Sequence, residues 1–124
     1  MKQTTSKKNR LTLKSEFSRI REDGKKQVSP SVIMLYLGPE TLDPADTDAK
    51  CGVICSRRFD KRAVYRNRAR RLLYEAFRTL MQDLLPCRII FIPRRNILQL
   101  KMQDVAENMR RVLRRADLLN ESRK

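Results

Sequence analysis

The 124-residue chain contains no histidine and no tryptophan, and it uses glycine only three times. Without histidine the usual general base at neutral pH and the commonest zinc ligand are both missing. A Ser-His-Asp triad cannot be built, so hydrolysis by the chain itself would have to rest on carboxylates. Neither a GxxxxGK[ST] loop nor a GxGxxG turn occurs, which excludes the two common glycine-rich phosphate cradles. Cysteine is sparse and odd in number: Cys51, Cys55 and Cys87 form no CxxC pair. Cys51 and Cys55 are expected in one strand, about 13 Å apart and too far to bridge, so the thiols are read as small core residues. Long apolar runs are also lacking. The longest, Val32 to Leu37 and Ile89 to Ile92, fall far short of the ~20 residues of a membrane span. Met1 to Arg10 holds no apolar signal core, and a cytoplasmic protein with no membrane partner is expected.

Acids are scarce as well. Lysine and arginine number 29 against 14 aspartates and glutamates, a net charge of +15, so a polyanion is the expected partner. The excess is densest from Ser56 to Arg71, where eight cationic side chains face the single acid Asp60. From Lys61 to about Leu84 there is neither glycine nor proline. Tyr65, Ala69, Leu72, Leu73, Ala76, Phe77 and Leu80 recur at three- and four-residue steps, which predicts one long amphipathic helix. Asp60 is the expected N-cap and Pro86 the stop. At 100° per residue Arg66 and Arg70 line one edge of the apolar stripe and Arg68 the other; Asn67, Arg71, Tyr74 and Arg78 are expected to face away. Lys61, Arg62, Arg66 and Arg68 stand at a helix N-terminus, where the macrodipole opposes them, so local stability did not select them. A site that gathers phosphates gains from both the cations and the free N–H groups.

Taken in order, the chain predicts a basic flexible arm over residues 1–9, a single domain over 10–119 and a polar tail over 120–124. A helix is expected from Lys14 to Asp23, with Leu13, Phe17 and Ile20 on one face and Gly24 as its C′ stop. A short strand around Val28 and a buried strand from Val32 to Leu37 follow. The 38–49 segment, with Glu40, Asp43, Asp46 and Asp48 between prolines, reads as an exposed loop; it lacks the glycine and terminal glutamate of a calcium loop. Strands are expected from Cys51 to Ser56 and from Cys87 to Ile92. A last helix is expected from Asp104 to Leu119, with Val105, Met109, Val112, Leu113 and Ala116 on its inner face and Arg110, Arg111, Arg114 and Arg115 outside. The order α-β-β-β-α-β-α predicts an α+β fold, a two-layer sandwich of a small mixed sheet and about three helices. From the residues alone, an RNA- or DNA-binding protein is favoured, and a carboxylate nuclease remains formally open.

Gly52-Val53 leading to Ser56-Arg57-Arg58, then Lys61-Arg62-Ala63-Val64-Tyr65-Arg66-Asn67-Arg68-Ala69-Arg70-Arg71-Leu72, resembles the signature of the bacterial ribonuclease P protein subunit. Arg10-Leu11 followed by Phe17, the strands ending in Tyr36 and Ile92, and the final helix fall where that family has them. The resemblance implies a fold like ribosomal protein S5 domain 2, with a left-handed crossover about the long helix. It implies a protein that assists a catalytic RNA in removing the 5′ leader of precursor tRNA, without catalytic residues, bound cofactor or obligate protein partner of its own; Mg2+ would serve the partner RNA. Arg66, Asn67, Arg68, Arg70 and Arg71 would then meet that RNA, supported by Arg57, Arg58, Lys61 and Arg62. Phe17 and Tyr36 would line a cleft for the single-stranded leader, joined by Arg21, which stands where many members carry a second aromatic.

Overall fold

The computed structural model describes residues 9–120; the arm over 1–8 and the tail over 121–124 lie outside them. The elements are α1 (Lys14–Asp23), β1 (Lys25–Val28), β2 (Val32–Leu37), β3 (Ala49–Val53), α2 (Ala63–Leu80), β4 (Cys87–Pro93) and α3 (Met102–Arg115). The strands form one mixed sheet in the order β1-β2-β4-β3. β1 with β2 and β2 with β4 are antiparallel; β3 and β4 are parallel, joined through α2.

Strand alternation divides the core between the two faces. Val32, Met34 and Tyr36 of β2, Ile89 and Phe91 of β4, and Cys51 of β3 point to one face. There α2 and α3 bury them with Ala69, Leu73, Phe77, Val105, Met109 and Val112. Phe77 meets Phe91 edge to face, ring centroids 6.2 Å apart, a pair contributing about 0.5–1.5 kcal/mol beyond its burial. On the other face α1 covers only one end, where Ile20 packs with Leu11, Leu37 and Ile90. Leu13, expected beside them, is 59% exposed.

Several boundaries differ from the sequence reading. Gly24 does follow α1, but with φ −77° its backbone is extended, not left-handed. Its lack of a side chain matters for a different reason: a Cβ there would strike the Ile20 carbonyl and press on that of Tyr36. β3 stops at Val53, and the Ile54 N–H makes one last bond to the Phe91 carbonyl before the chain turns away. The outer edge of β3 is covered by the N-terminal segment: the Leu11 N–H donates to the Cys51 carbonyl at 2.9 Å, and the Asn9 amide to that of Ala49 at 3.0 Å. Asn9 therefore belongs to the domain, and an aggregation-prone edge is closed.

α2 gives way to a 3₁₀ turn over Met81–Asp83. The end of α3 is reached at Arg115 because Asp117 adopts a left-handed conformation, φ 59°. Its N–H bonds the Arg114 carbonyl, and the Leu118 N–H bonds that of Leu113, a Schellman stop without glycine. The reversal carries Leu118 and Leu119 into the core.

Candidate nucleic-acid interface

Between Ile54 and α2 the chain builds a tight basic loop, anchored by the buried ring of Phe59. The Phe59 N–H bonds the Ser56 carbonyl at 3.0 Å, and the Arg58 N–H bonds the Ser56 hydroxyl at 3.2 Å. Asp60 does not cap the helix. Its Oδ1 accepts the Arg62 N–H at 2.8 Å and the Arg62 Nε at 3.1 Å, while Arg95 Nη1 approaches Oδ2 at 3.5 Å. A carboxylate needed to close a turn two residues ahead cannot also reach the first amides of α2. The bonds from Arg62 and the Arg95 charge push the Asp60 carboxyl down to about 2.

The nine expected RNA-facing residues separate into two groups. Arg62, Arg66, Asn67 and Arg70 are held by the protein. Arg62 pairs with Asp60 and stacks its guanidinium 4.3 Å from the Tyr65 ring centroid. Arg66 Nη1 folds back to the carbonyls of Asp60 and Lys61, at 2.9 and 2.8 Å. Arg70 bonds Asn67 Oδ1 at 3.3 Å and the Cys55 carbonyl at 3.2 Å. Arg57, Arg58, Lys61, Arg68 and Arg71 are exposed, their side chains making no hydrogen bond or ion pair among the described residues. The first group thus fixes the loop to the helix, and the second is left to face an anion.

Two depressions flank this loop. One, of about 400 Å³, has an apolar floor of Ile54, Phe59, Ile92 and Pro93, with Ser56, Arg58 and Arg95 at its rim. The other, of about 350 Å³, is lined by Arg57, Arg58, Lys61, Arg62 and Arg95 together with Phe59 and Asp60. Arg95 was not among the residues anticipated from sequence. It reaches the Phe59 carbonyl at 3.2 Å, and the paired arginines after Pro93 were the available signal.

Ile54 and Ile92 continue the first depression across the face of the sheet toward Phe17 and Leu35, all four partly buried. Phe17 lies against Gly52, where a Cβ would strike the ring. Tyr36 does not join this cleft. Lys26 pairs with Leu35 and Lys25 with Tyr36, so Leu35 shares Phe17's side while Tyr36 is buried under α2 and α3 at 7% exposure. A one-residue difference along a strand reverses the face. Arg21 is exposed one turn after Phe17. The face expected to be free on α2 also changes: Tyr74 and Arg78 are half-buried, Tyr74 beneath the guanidinium of Arg10.

The acidic loop lies at the opposite end of β3 from the basic one, since it enters the strand at Ala49 and the basic loop leaves beyond Val53. Asp46 and Asp48 are engaged there, at 3.3 and 3.8 Å from Arg88, whose side chain is 8% exposed. Negative charge is thereby spent on a buried guanidinium away from the cationic surface. The three thiols are free and buried; burial pushes Cys87 up to about 12, and Cys51 higher still. Among the described residues no group of His, Cys, Asp and Glu could hold a metal ion, and no helix is long and apolar enough to cross a membrane.

Comparison with known proteins agrees with this arrangement. The family described as Ribonuclease P matches residues 5–117. A ribonuclease P protein component from a Synechococcus strain is 30% identical over 112 residues, 90% of this chain and 84% of the relative. That of Pelotomaculum thermopropionicum is 33% identical over 110 residues, covering 87% and 92%. The Staphylococcus aureus RNase P protein superposes with a TM-score of 0.75 at 20% identity, over 90% of this chain and 98% of that one. The Thermotoga maritima protein gives 0.70 at 23% identity, over 86% and 96%. At these identities the structural likeness speaks for the fold, while the family match spans nearly the whole chain: it belongs to the ribonuclease P protein family.

Proposed function

We propose that this chain binds the catalytic RNA of ribonuclease P and the 5′ leader of precursor tRNA, and that it assists removal of the leader without contributing a catalytic residue. The observation that carries this reading is the group of five unpartnered cations, Arg57, Arg58, Lys61, Arg68 and Arg71, displayed on a loop and helix that Asp60, Arg66 and Arg70 hold in place. A backbone already held in place loses less freedom on meeting phosphate, and guanidinium groups bind it through paired hydrogen bonds.

The cleft between α1 and the uncovered half of the sheet suits the leader. Single-stranded RNA offers unstacked bases and flanking phosphates. Phe17, Leu35, Ile54 and Ile92 supply the apolar surface, with Arg21 and Arg58 at the margins. Hydrolysis is assigned to the RNA, for which Mg2+ supplies charge stabilisation and an activated water. The protein's part is electrostatic: it brings two polyanions together and holds the leader apart from the catalytic centre. A cytoplasmic location belongs to the same reading.

The test is cleavage of a precursor tRNA at low magnesium with bacterial catalytic RNA alone, protein alone, both, and neither. Cleavage in the combined reaction only is the expected result. Cleavage by the protein alone would redirect attention to its carboxylates. No enhancement of a cognate RNA would leave a general RNA-binding protein as the better description.

A further inference from the structure

Arg10 comes from a segment far from α2 in sequence, yet the fold delivers it to that helix. Its backbone bridges Cys51 on the outer edge of β3, and this sets its guanidinium carbon 4.2 Å from the ring centroid of Tyr74. Burial, then the neighbouring Cys51, push the Tyr74 hydroxyl above its ordinary value; the charges of Arg10 and Arg70 and a hydrogen bond from the Val53 backbone act against them. Tyr74 is thus the floor of a cationic group, not an isolated core residue.

Arg71 and Arg78 stand three residues before and four after Tyr74, so both are its neighbours on the helix surface. Arg71 is exposed without a partner among the described residues. The Nε atoms of Arg78 and Arg10 are both buried and lack a hydrogen-bond partner among the described residues. The acids of this stretch, Glu75 and Asp83, form no ion pair with any of the three. Like charges collected round one ring repel, and buried N–H groups without acceptors cost free energy. An anion placed against their outer N–H groups offsets the repulsion. Stacking on Tyr74 orients Arg10 without occupying its outer N–H groups, as an ion pair would.

We propose that Arg10 and Arg78, arranged about Tyr74, form a second binding site for the phosphate backbone of RNA, continuing from Arg71 beyond the Arg-Asn-Arg turn. From Arg68 to Arg78 the helix rises about 15 Å, so the site extends the contact over several further phosphates. It rests on the reading that the chain binds RNA, and it makes a separate claim about where.

The experiment measures binding of bacterial ribonuclease P catalytic RNA to the full chain across a salt series. The proteins are wild type, Arg68→Ala, Arg10→Gln, Arg78→Gln, and Arg111→Gln on α3 as the benchmark for losing one charge elsewhere. Thermal unfolding of each checks that it is folded. Arg78→Gln and Arg10→Gln should each weaken binding by about three- to tenfold and lower the slope of log affinity against log salt by about 0.7–0.9. Effects no larger than those of Arg111→Gln overturn the site. Arg10 is held to β3 by its backbone and stands outside α2, so its variant decides the matter even if Arg78→Gln fails to fold. Wild-type protein that does not bind the RNA would instead defeat the functional reading, and the site with it.

Discussion

Replacing Gly52 by alanine tests how the cleft is built. Gly52 has a negative φ, like every glycine among the described residues, so it is not there for backbone freedom. It is there because Phe17 occupies the space a Cβ would take: the nearest atoms to that Cβ are the tip of the Phe17 ring, followed by Leu11 Cβ at 3.4 Å. In a strand without such a neighbour, glycine to alanine should stabilise by about 0.5–1 kcal/mol. Here the added methyl must expel the ring or lift α1, which overpacking data put at about 1–3 kcal/mol. Gly52→Ala is therefore expected to destabilise wild type by about 1–2 kcal/mol. The same change should be neutral or favourable in a Phe17→Leu background, whose side chain can yield. The coupling, about 1.5–3 kcal/mol, is measurable by urea denaturation of the four proteins of the cycle. Gly52→Ala should also lower affinity for leader-bearing precursor more than for mature tRNA, because the displaced ring borders the cleft. Additive behaviour, with Gly52→Ala equally harmless in both backgrounds, would refute the argument that Phe17 dictates glycine at this position.

Other expectations follow from the same geometry. Asp60 has its carboxyl pushed down from 3.8 to about 2, so its contribution to stability is complete above pH 4 and lost as pH falls through 2; urea midpoints between pH 5 and 2 should fall less in Asp60→Asn. Asp117→Gly removes a side chain from a left-handed position, φ 59°, and should stabilise by about 0.5–1 kcal/mol, read as a rise in Tm. Arg68→Ala, at an exposed site, should leave stability within about 0.5 kcal/mol while weakening RNA binding. Arg70→Ala, which loses the bond to the Cys55 carbonyl, should lower both, by about 1 kcal/mol in stability. All three thiols should resist a disulfide reagent in the native protein and react in denaturant. Cys55 should be first to open, since Arg70 and Arg66 act against the burial that raises its pKa.

The cationic stretch from Ser56 to Arg71 needed no structure to be recognised. Charge density, an apolar repeat and the absence of breakers are local properties, and they survive folding because the helix they specify buries only one stripe. The α+β class and the element order were legible for a like reason: β2 and the Ile89 to Ile92 stretch of β4 are continuous apolar runs with glycine or proline close by. Helix ends were less so. Asp60 is a good cap by composition, but its carboxylate was claimed by Arg62 and Arg95, the latter 35 positions later in the chain. Asp117 ends α3 without the glycine that usually marks such a stop, because the burial of Leu118 and Leu119 outweighs the strain.

The sequence by itself determined that this protein would present a strongly cationic helix on a small mixed sheet, since periodicity and charge are carried by neighbours along the chain. Only the tertiary structure decided which side chains stand together. Strand register put Leu35 with Phe17 and sent Tyr36 to the opposite face, and pairing of the N-terminal segment with β3 brought Arg10 onto Tyr74. Register and edge pairing are set by contacts between distant segments, where a shift of one residue exchanges the two faces of a strand.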